Sequence, residues 1–380
     1  MSWPTVKLGD VCEIVMGQAP AGETYNNDNK GFPLIAGAGD FKNGIIDVKK
    51  FTTTPTKLSK IDDIVLSIRA SIGDKVWSNS IYCLGRGVAA LRVSDDLEKD
   101  YLWHTLSHVE KKLASKAKGA TFKQVNREDI HTLKIPLPPL AEQKRIAAIL
   151  DNADEIKRKR EQVIAKLDQL AQSIFVEMFG DPSTNDMHWS KATLSDFILS
   201  ASDGPHVSPN YEETGIPFLS ARHVRPSLVT WEDLKYLSEE DALQQWKKCK
   251  PELGDILYTK GGTTGYAAVV KTNVNFAIWV HIALLKPNRQ KCNSVWLEHM
   301  LNSKYCYQQS QILTHGIANR DLGLKRMIRI DMYNPPLELQ EQFSTRISKL
   351  EKLKASNIAA LEKHNTLFAS LQHQAFTGQL

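Results

Sequence analysis

The chain has 380 residues, of which 42% are hydrophobic and 24% charged, and its formal net charge is +5. This is an ordinary globular composition, and the length suits about two or three domains. No run of about 18 apolar residues occurs, which excludes a membrane-spanning helix, and the mildly basic charge permits a polyanionic partner without requiring one.

The start of the chain and its cysteines bear on its compartment. The stretch MSWPTVKLGDVCEIV has no charged region ahead of an apolar core, so the sequence predicts no secretory signal. The five cysteines are scattered and form no CxxC pair: Cys12, Cys83, Cys249, Cys292 and Cys306. This spacing favours reduced thiols in a cytoplasm over a disulfide framework or a zinc ribbon.

Residues 1–135, here called the first domain, predict a mixed α/β fold. Short β-branched runs such as DIVLSI (63–68) are bounded by aspartate and glycine and alternate with turn signals. Tyr101–Lys118 instead has helical spacing.

Residues 136–180 predict a long helix, here called the first spacer helix. Proline favours the first helical turn, so the double proline in PLPPLAEQKRIAAIL (136–150) is a helix start. Apolar residues then follow at steps of three and four: Ile146, Ile149, Ala153, Ile156, Val163, Leu167, Leu170 and Ile174. Arg160 occupies the missing position. Such a heptad seam requires a partner helix.

The second half of the chain repeats this organisation. Residues 181–332 (the second domain) predict another α/β fold, with DILYT (255–259) as a strand and Trp296–Leu313 with helical spacing. Residues 333–380 (the second spacer helix) repeat the proline start, and Pro335-Pro336-Leu337 and Gln340 lie 197 residues after Pro138-Pro139-Leu140 and Gln143. Its seam comprises Phe343, Leu350, Leu353, Ala360, Leu367 and Leu371, with Asn357 in the place of Arg160.

The repeat predicts a tandem α/β (α+β) architecture. Two globular domains would lie at the ends of two long antiparallel coiled-coil helices, about 54 Å long at 1.5 Å per residue, around an approximate two-fold axis. In that arrangement Arg160 and Asn357 would lie near the middle of their seams and could meet there, fixing the register at some cost in stability. The alternative is two unrelated polar residues.

Five segments carry a family resemblance: IPLPPLAEQKRIAAILDNADEI (135–156), SDGPHVSPNYEETGIPFL (202–219), LGDILYTKGGTTG (253–265), PPLELQEQ (335–342) and QAFTGQL (374–380). In them the chain resembles the specificity subunit of a type I restriction–modification enzyme, over essentially its whole length. One departure is Leu339, which stands where the first copy has Glu142.

The resemblance implies that the two domains are target recognition domains, each reading half of a split sequence in double-stranded DNA. The chain would be non-catalytic and hold no cofactor. It would recruit two methyltransferase subunits, which use S-adenosylmethionine, and, for cleavage, two restriction subunits, which use ATP and magnesium. Whether restriction subunits are present stays open. The candidate residues of the spacer helices for subunit docking are Pro139, Glu142, Gln143, Arg160, Pro336, Gln340 and Asn357.

Candidate DNA-binding residues begin with KGGTTG (260–265), which is either a strand followed by a turn or a loop lying on DNA. In the second case Lys260, Thr263 and Thr264 supply donors, and the equivalents in the first copy are Arg69 and Ser71. The other candidate cations in the first domain are Lys75, Lys111, Lys112, Lys116, Lys118, Lys123 and Arg127. Those in the second are His206, Arg222, His223, Arg225, Arg320, Lys325 and Arg326. Each is either solvated or in contact with phosphate or base.

Two other functional classes are weighed against this one. The NPPL motif (334–337) resembles the Asn-Pro-Pro-aromatic motif of adenine methyltransferases, but Leu337 cannot stack on a base and no glycine-rich cofactor loop precedes it. A nuclease pattern would need a carboxylate two residues before Lys260, where Tyr258 stands. A self-contained methyltransferase or endonuclease is therefore disfavoured, whereas a coiled-coil scaffold that binds proteins stays open.

Overall fold

The computed structural model describes residues 3–42, 44–119, 123–316 and 319–380. The chain folds into two compact units: Met1–Gln162 with Ile358–Leu380, and Val163–Asn357. Each unit contains one of the two globular domains and one half of each spacer helix. Within the described ranges, no helix is long and apolar enough to cross a membrane.

In the described ranges, the first domain and the helix that follows it contain twelve strands and four α-helices. The strands are β1 (Thr5–Lys7), β2 (Cys12–Met16), β3 (Tyr25–Asn26), β4 (Phe32–Ile35), β5 (Phe41–Lys42), β6 (Ile45–Ile46), β7 (Phe51–Thr52), β8 (Ile64–Ser67), β9 (Lys75–Trp77), β10 (Cys83–Leu84), β11 (Val88–Val93) and β12 (Lys134–Pro136). The helices are α1 (Leu8–Val11), α2 (Lys99–Ser115), α3 (Arg127–His131) and the first spacer helix, α4 (Leu140–Phe179).

The second domain and its following helix repeat this order with eleven strands and six α-helices among the residues that the structure describes. The strands are β13 (Ser190–Thr193), β14 (Ile198–Asp203), β15 (Ile216–Leu219), β16 (Val224–Arg225), β17 (Leu228–Val229), β18 (Lys235–Leu237), β19 (Ile256–Thr259), β20 (Ala267–Val269), β21 (Ala277–Ile278), β22 (Ile282–Pro287) and β23 (Asp331–Asn334). The helices are α5 (Leu194–Phe197), α6 (Glu239–Trp246), α7 (Ser294–Leu301), α8 (Lys304–Leu313), α9 (Leu324–Met327) and the second spacer helix, α10 (Leu337–Thr377).

The sheets of the two domains share their topology, except that the second sheet has the order β10-β4-β7-β3 in the first domain and β18-β15-β21 in the second. An antiparallel sheet has the order β2-β11-β8-β9 in the first domain and β14-β22-β19-β20 in the second. A second sheet contains one parallel pair in each case, β4 with β10 and β15 with β21. A short ladder then joins the first strand of each domain to its last, β1 to β12 and β13 to β23. The repeat predicted from the helix starts therefore extends through both domains.

The core of each unit lies between its antiparallel sheet and its helices. The predicted strands DIVLSI and DILYT form β8 and β19, whose residues are all buried. In the first unit, β8 and helix α2 share one hydrophobic cluster with Ile146 and Leu150 of α4 and Phe376 of α10. A fully buried side chain of this size contributes roughly 1.5–3 kcal/mol, so the spacer helices are part of the core of each unit.

One predicted helix is interrupted. The helical spacing at Tyr101–Lys118 corresponds to the single helix α2, whereas Trp296–Leu313 divides into α7 and α8. The Ser303 side chain accepts a hydrogen bond from Cys306 N at 3.3 Å and caps the start of α8. A serine cap satisfies a free amide of the first turn and thereby favours a new helix at this point.

Both spacer helices begin directly after their double proline, as predicted. Within the first unit, Ala153 O of α4 lies 2.6 Å from His364 Nε2 of α10, and Arg145 Nη2 donates to Leu380 O at 3.0 Å. The two helices therefore run antiparallel in this unit. In the second unit the ion pairs Lys354–Asp168 (2.5 Å) and Arg346–Glu177 (3.8 Å) follow the same antiparallel order.

The inward-facing stripe of the spacer helices differs from the predicted seam. Of the predicted seam residues, Ile156, Val163, Leu170, Leu353 and Leu367 are all at least 40% exposed. The buried and half-buried stripe of α4 comprises Ile146, Leu150, Ala153, Lys157, Arg160, Ile164, Leu167, Ala171, Phe175 and Met178. That of α10 comprises Phe343, Ile347, Leu350, Lys354, Asn357, Leu361, His364, Phe368, Leu371 and Ala375. These inward stripes, like the predicted seams, are spaced by threes and fours. Because each helix carries two adjacent apolar stripes, the spacing alone could not show which of them faces inward.

Arg160 and Asn357 both lie on the inward stripe. Asn357 Nδ2 donates to Leu353 O at 2.8 Å within its own helix, and Arg160 is half-buried. The two residues belong to different units. A contact between them therefore stays a prediction.

Candidate nucleic-acid interface

The turn that follows β8 (residues 68–73) has the same backbone arrangement as the turn that follows β19 (residues 260–265). The defining hydrogen bonds are Ile68 N to Gly87 O (3.0 Å) and Gly73 N to Ser67 O (3.1 Å), against Lys260 N to His281 O (2.9 Å) and Gly265 N to Thr259 O (2.9 Å). Ala70 (φ 53°) and Gly262 (φ 69°) both adopt the left-handed conformation. The left-handed conformation costs a non-glycine residue roughly 1–2 kcal/mol. The surrounding hydrogen bonds must therefore hold the backbone of Ala70 in this conformation. The predicted equivalence of KGGTTG and IRASIG is confirmed.

A second loop is attached to each turn. In the α2–α3 loop (116–126), Lys118 and Gln124 exchange two backbone hydrogen bonds of 3.0 Å, and Val125 N then donates to Ile68 O at 3.0 Å. The α8–α9 loop (314–323) repeats this with His315 and Asp321 (both bonds 2.9 Å) and with Leu322 N to Lys260 O (2.7 Å). The turn and the loop of each unit therefore form one connected scaffold.

This shared scaffold carries different side chains in the two units. The paired positions are Arg69 and Gly261, Ser71 and Thr263, Lys118 and His315, Lys123 and Arg320, and Gln124 and Asp321. Arginine, lysine, glutamine and aspartate each have a different preference among base edges and phosphates. The arrangement can therefore present two different recognition surfaces from one backbone.

Four of the candidates in the first unit are brought together on this scaffold. Arg69 and Ser71 are exposed and line an open groove of about 610 Å³ that also includes Lys50 and Arg86. Arg69 Nε donates to Gln124 Oε1 at 2.8 Å. Lys118 and Lys123, both exposed, belong to the attached α2–α3 loop. This is a cationic surface accessible to a polyanion.

The other candidates of the first unit lie on helices outside this scaffold or are hydrogen-bonded within the unit. Arg127, exposed, starts α3, and Lys111 and Lys112 are exposed on α2. Lys116 Nζ donates to Asp129 O (3.1 Å) and to Thr132 Oγ1 (3.0 Å). These four cations are not held by the turn of residues 68–73.

Lys75 does not belong to the groove. Its Nζ donates to Ser107 Oγ at 2.7 Å and lies 4.6 Å from the centre of the Trp103 ring. Burial lowers the pKa of Lys75, against the attraction of nearby carboxylates such as Glu110. The structure thus corrects the sequence-based expectation that Lys75 contacts DNA, because its ammonium already has partners inside the first unit.

The structure also corrects the expectation that Lys260 contacts DNA. It is 5% exposed, and its Nζ lies 3.3 Å from Asp203 Oδ2 and 3.2 Å from Asp321 Oδ1, and donates to Val280 O at 3.2 Å. Lys248 pairs with the other oxygen of Asp203 at 2.7 Å. An ammonium with these partners is not available to a phosphate, so Lys260 ties the turn to the α8–α9 loop instead.

The two threonines of the second turn have different environments. Thr263 is exposed, whereas Thr264 is 2% exposed. Thr264 O accepts from Gln311 Nε2 at 3.0 Å, and Thr264 Oγ1 lies 3.1 Å from Thr314 Oγ1. Thr264 is therefore a packing residue, which leaves Thr263 as a donor at the surface.

The remaining candidates of the second unit are either exposed or bonded to other residues of the same unit. Arg225, Arg320 and Lys325 are exposed, and exposed His206 lies 3.6 Å from Asp203. Arg326 is half-buried, and its guanidinium donates to Leu313 O and Asp321 O.

His223 is buried, with Nδ1 accepting from Ser220 N at 2.8 Å. Burial, together with the positive charge of Arg222, lowers the pKa of His223, so the ring is neutral at pH 7. Arg222 itself is exposed and donates to Asp233 O. His223 is therefore corrected from a DNA candidate to an internal residue.

Replacing Lys260 tests its internal role. Lys260→Ala should lower the free energy of unfolding by about 3 kcal/mol, because removing one partner of a buried ion pair leaves Asp203 underpaired. Burial favours a higher pKa for Asp203, but Lys248 and Lys260 outweigh it and hold that pKa below its usual value. The stability that the Lys260–Asp203 pair contributes to the wild type should therefore be present above about pH 4 and disappear as the pH falls further.

The measurement is urea unfolding at pH 7 and pH 3. The difference between Lys260→Ala and the wild type should shrink at the lower pH. Lys247→Ala, at an exposed lysine of the same unit, is the matched control and should unfold like the wild type. Unchanged stability of Lys260→Ala together with weaker DNA binding would restore the sequence-based interpretation.

The fixed-offset glutamines of the spacer helices form an internal clamp. Gln143 is 1% exposed, its Nε2 donates to Asp96 O (2.9 Å) and Pro138 O (2.8 Å), and its Oε1 accepts from Glu98 N (2.8 Å). Gln340 repeats this with Pro335 O and Asn293 N, both at 2.9 Å. Since a buried amide without partners would be costly, the clamp fixes the start of each spacer helix to its domain.

This clamp revises the docking candidates. Gln143 and Gln340 are buried and cannot form a docking surface. Pro139 and Pro336 are exposed at the helix starts, and Glu142 pairs with Arg145 at 2.7 Å on the helix surface. Those three residues remain accessible to a partner.

The patterns weighed as enzymatic motifs have structural roles. Asn334 ends β23 and the helix begins at Leu337, so NPPL is a strand–helix junction. His104 of α2 is also buried, and its Nε2 lies 2.8 Å from Asp151 Oδ1. In the part of the chain that the structure describes, no group of three His, Cys, Asp or Glu side chains could hold a metal ion.

The sequence interpretation missed three residues that position others. Gln124 and Gln311 hold Arg69 and Arg320, and Asp203 holds Lys260. Gln124 and Asp321 lie 197 residues apart, the same offset as the two prolines, so alignment of the loops by that offset could have paired them. Gln311 and Asp203 gave no such signal.

Comparison with protein families gives a match over both halves of the chain. A family model described as "Type I restriction modification DNA specificity domain" matches residues 1–167 and 188–363. The specificity subunit of the type I restriction enzyme EcoBI of Escherichia coli is 23% identical over 418 residues, which cover 100% of this chain and 86% of that protein.

An archaeal relative and two solved structures extend the comparison. A type I MjaX specificity subunit of Methanocaldococcus jannaschii is 35% identical over 170 residues, 43% of this chain and 40% of that protein. The S subunit crystal structure from M. genitalium has a TM-score of 0.61 at 15% identity, with 99% of this chain and 96% of that chain covered. A chain from work on complex assembly of the type I R-M system has a TM-score of 0.58 at 18% identity, with coverage of 100% and 98%. These structures share the fold.

Proposed function

The chain belongs to the type I restriction–modification DNA specificity family, and we propose from this that it reads a bipartite, non-symmetric sequence in double-stranded DNA and directs methyltransferase subunits to it. The observation that carries the proposal is the pair of matched scaffolds with different side chains. The corresponding backbone hydrogen bonds at the two sites support a common way of approaching DNA, and the different polar groups support two different half-sites.

The spacer helices support a second part of the proposal. Their starts are alike in both copies, with the same double proline and the same glutamine clamp, whereas the domains diverge. Partners of one type that dock on each half would require this similarity. We infer that two methyltransferase subunits dock near the helix starts, where Pro139, Glu142 and Pro336 are accessible.

The chemistry is assigned to the partners. The methyltransferase subunits would bind S-adenosylmethionine and modify adenine, and restriction subunits, where present, would use ATP and magnesium. The residues of this chain would supply binding and positioning: cations for the phosphates, and donors and acceptors for the base edges. In this proposal the specificity subunit determines where methylation occurs and takes no part in methyl transfer.

Methylation assays test the proposal. The purified chain alone should methylate no DNA and bind no S-adenosylmethionine. With its methyltransferase subunit added, it should methylate adenines within one bipartite motif. The measurement is genome-wide mapping of methylated adenines in a methylation-deficient host that expresses the methyltransferase subunit with and without this chain.

The methyltransferase subunit alone is the control and should give no motif. Methyl transfer by the isolated chain would contradict the proposal in favour of an enzyme. A complex that forms but has no preference for any DNA sequence would instead favour the coiled-coil scaffold.

A further inference from the structure

We propose that Arg69 and Arg320 each read a guanine, one in each half of the recognised sequence, and that Gln124 and Gln311 hold their guanidinium groups ready for this contact. The inference rests on the proposed function, since it names the specificity-determining residues of the same surface. The carrying observation is an arginine–glutamine pair on each scaffold, formed from different positions in the two domains.

In the first domain the arginine comes from the turn. Arg69 is exposed in the groove, and its Nε donates to Gln124 Oε1 at 2.8 Å, while among the residues that the structure describes its two terminal nitrogens have no hydrogen-bond partner. Gly87, whose carbonyl accepts from Ile68 N, has no side chain to compete for this space. The left-handed backbone at Ala70 directs the turn away from the strand just after Arg69.

In the second domain the turn cannot supply the arginine. A Cβ at Gly261, the equivalent of Arg69, would lie 2.4 Å from His281 Cδ2, and His281 takes the place of Gly87. The cation comes from the other loop instead. Arg320 is exposed, its Nη2 donates to Gln311 Oε1 at 2.6 Å, and its carbonyl accepts from Gly262 N at 3.0 Å.

The glutamines are themselves fixed. The backbone of Gln124 is bonded twice to Lys118. Gln311 Nε2 donates to Thr264 O at 3.0 Å, and Thr264 is buried. Each arginine is thus oriented through a neutral oxygen, which leaves its full positive charge and its remaining donors for a ligand. A carboxylate in this place would have neutralised the charge.

Guanine is the base that this arrangement suits best. Its O6 and N7 are two acceptors side by side in the major groove, and the planar fork of arginine matches both, whereas lysine acts as a point charge. A phosphate would accept the same donors but without dependence on sequence. The two ligands are distinguished by the conservative change from arginine to lysine.

The experiment uses the full complex with its methyltransferase subunit and maps methylated sites for Arg69→Lys and Arg320→Lys. Each variant should relax recognition at one G·C position, with the preference for the cognate base pair falling roughly 10- to 100-fold. The two relaxed positions should lie in different halves of the motif. Gln124→Ala and Gln311→Ala should relax the same positions to a smaller extent.

Lys134→Ala and Lys247→Ala, at exposed lysines on β12 and just after α6, are the matched controls and should leave the motif unchanged. Two results would overturn the inference while keeping the proposed function: a half-site without a G·C pair, or unchanged motifs in both arginine-to-lysine variants. A wild-type complex with no bipartite motif would instead remove the proposed function itself.

Discussion

Replacing residues 1–135 by the first domain of another family member should change one half of the recognised sequence and leave the other half unchanged. The physical reason is that the scaffold of the second unit is formed by its own turn and its own α8–α9 loop. The measurement is a methylation map of the chimaera assembled with its methyltransferase subunit. We expect a new motif that combines one old and one new half-site.

The clamp makes this exchange feasible. Gln143 binds Asp96 O and Glu98 N, which are backbone groups, so a different domain can satisfy it whatever its side chains. The foreign domain must still fill the space of Tyr101, whose ring centre lies 5.6 Å from that of Phe376. Choosing a donor domain with an aromatic residue there avoids a cavity, which would cost about 3–5 kcal/mol.

The reciprocal exchange of residues 181–332 is the control, and it should change the opposite half of the motif. If either chimaera altered both halves, the two domains would not read independently. If neither altered the motif, recognition would lie outside these domains.

The sequence alone predicted the features that depend on local signals. The helix starts at Leu140 and Leu337 follow double prolines, which constrain the backbone wherever they occur. The strands β8 and β19 appear as β-branched runs. Because the same local rules apply in both copies, the repeat could be found before any tertiary contact was known.

The sequence could not predict features that depend on distant residues. Lys260 resembles any surface lysine beside a glycine turn, yet Asp203 and Asp321, each more than 50 residues away, bury its charge. Lys75 is similarly occupied by Ser107. The inward stripe of α4 is selected by the elements packed against it, so Leu150 is buried while Ile156 is exposed. Composition and spacing do not contain this information.

Deleting one heptad from each spacer helix, residues 154–160 and 351–357, should shorten the gap between the two half-sites by one to about three base pairs. Each helix loses about 10 Å at 1.5 Å per residue, which equals roughly three base-pair steps of 3.4 Å. The DNA limits how much the gap can shorten, because the double helix rotates by about a third of a turn over that distance. A complex that cannot adapt to this rotation should lose activity.

The deletion preserves the antiparallel order of the two helices, because the segments removed are equal in length. The contact of Ala153 with His364 lies outside both deleted segments. The ion pair Lys354–Asp168 is lost, but an exposed pair contributes at most about 1 kcal/mol. The polar residues Arg160 and Asn357 leave the inward stripes, so helix pairing should survive or tighten.

The double substitution Arg160→Leu with Asn357→Leu is the matched control, since it removes the same polar residues and keeps the full length. Its motif should have the wild-type gap, whereas the deletion variant should have a shorter gap with both half-site sequences retained. A methylation map of both variants separates the effect of length from that of polarity. An active deletion variant with an unchanged gap would mean that helix length does not determine the spacing between the half-sites.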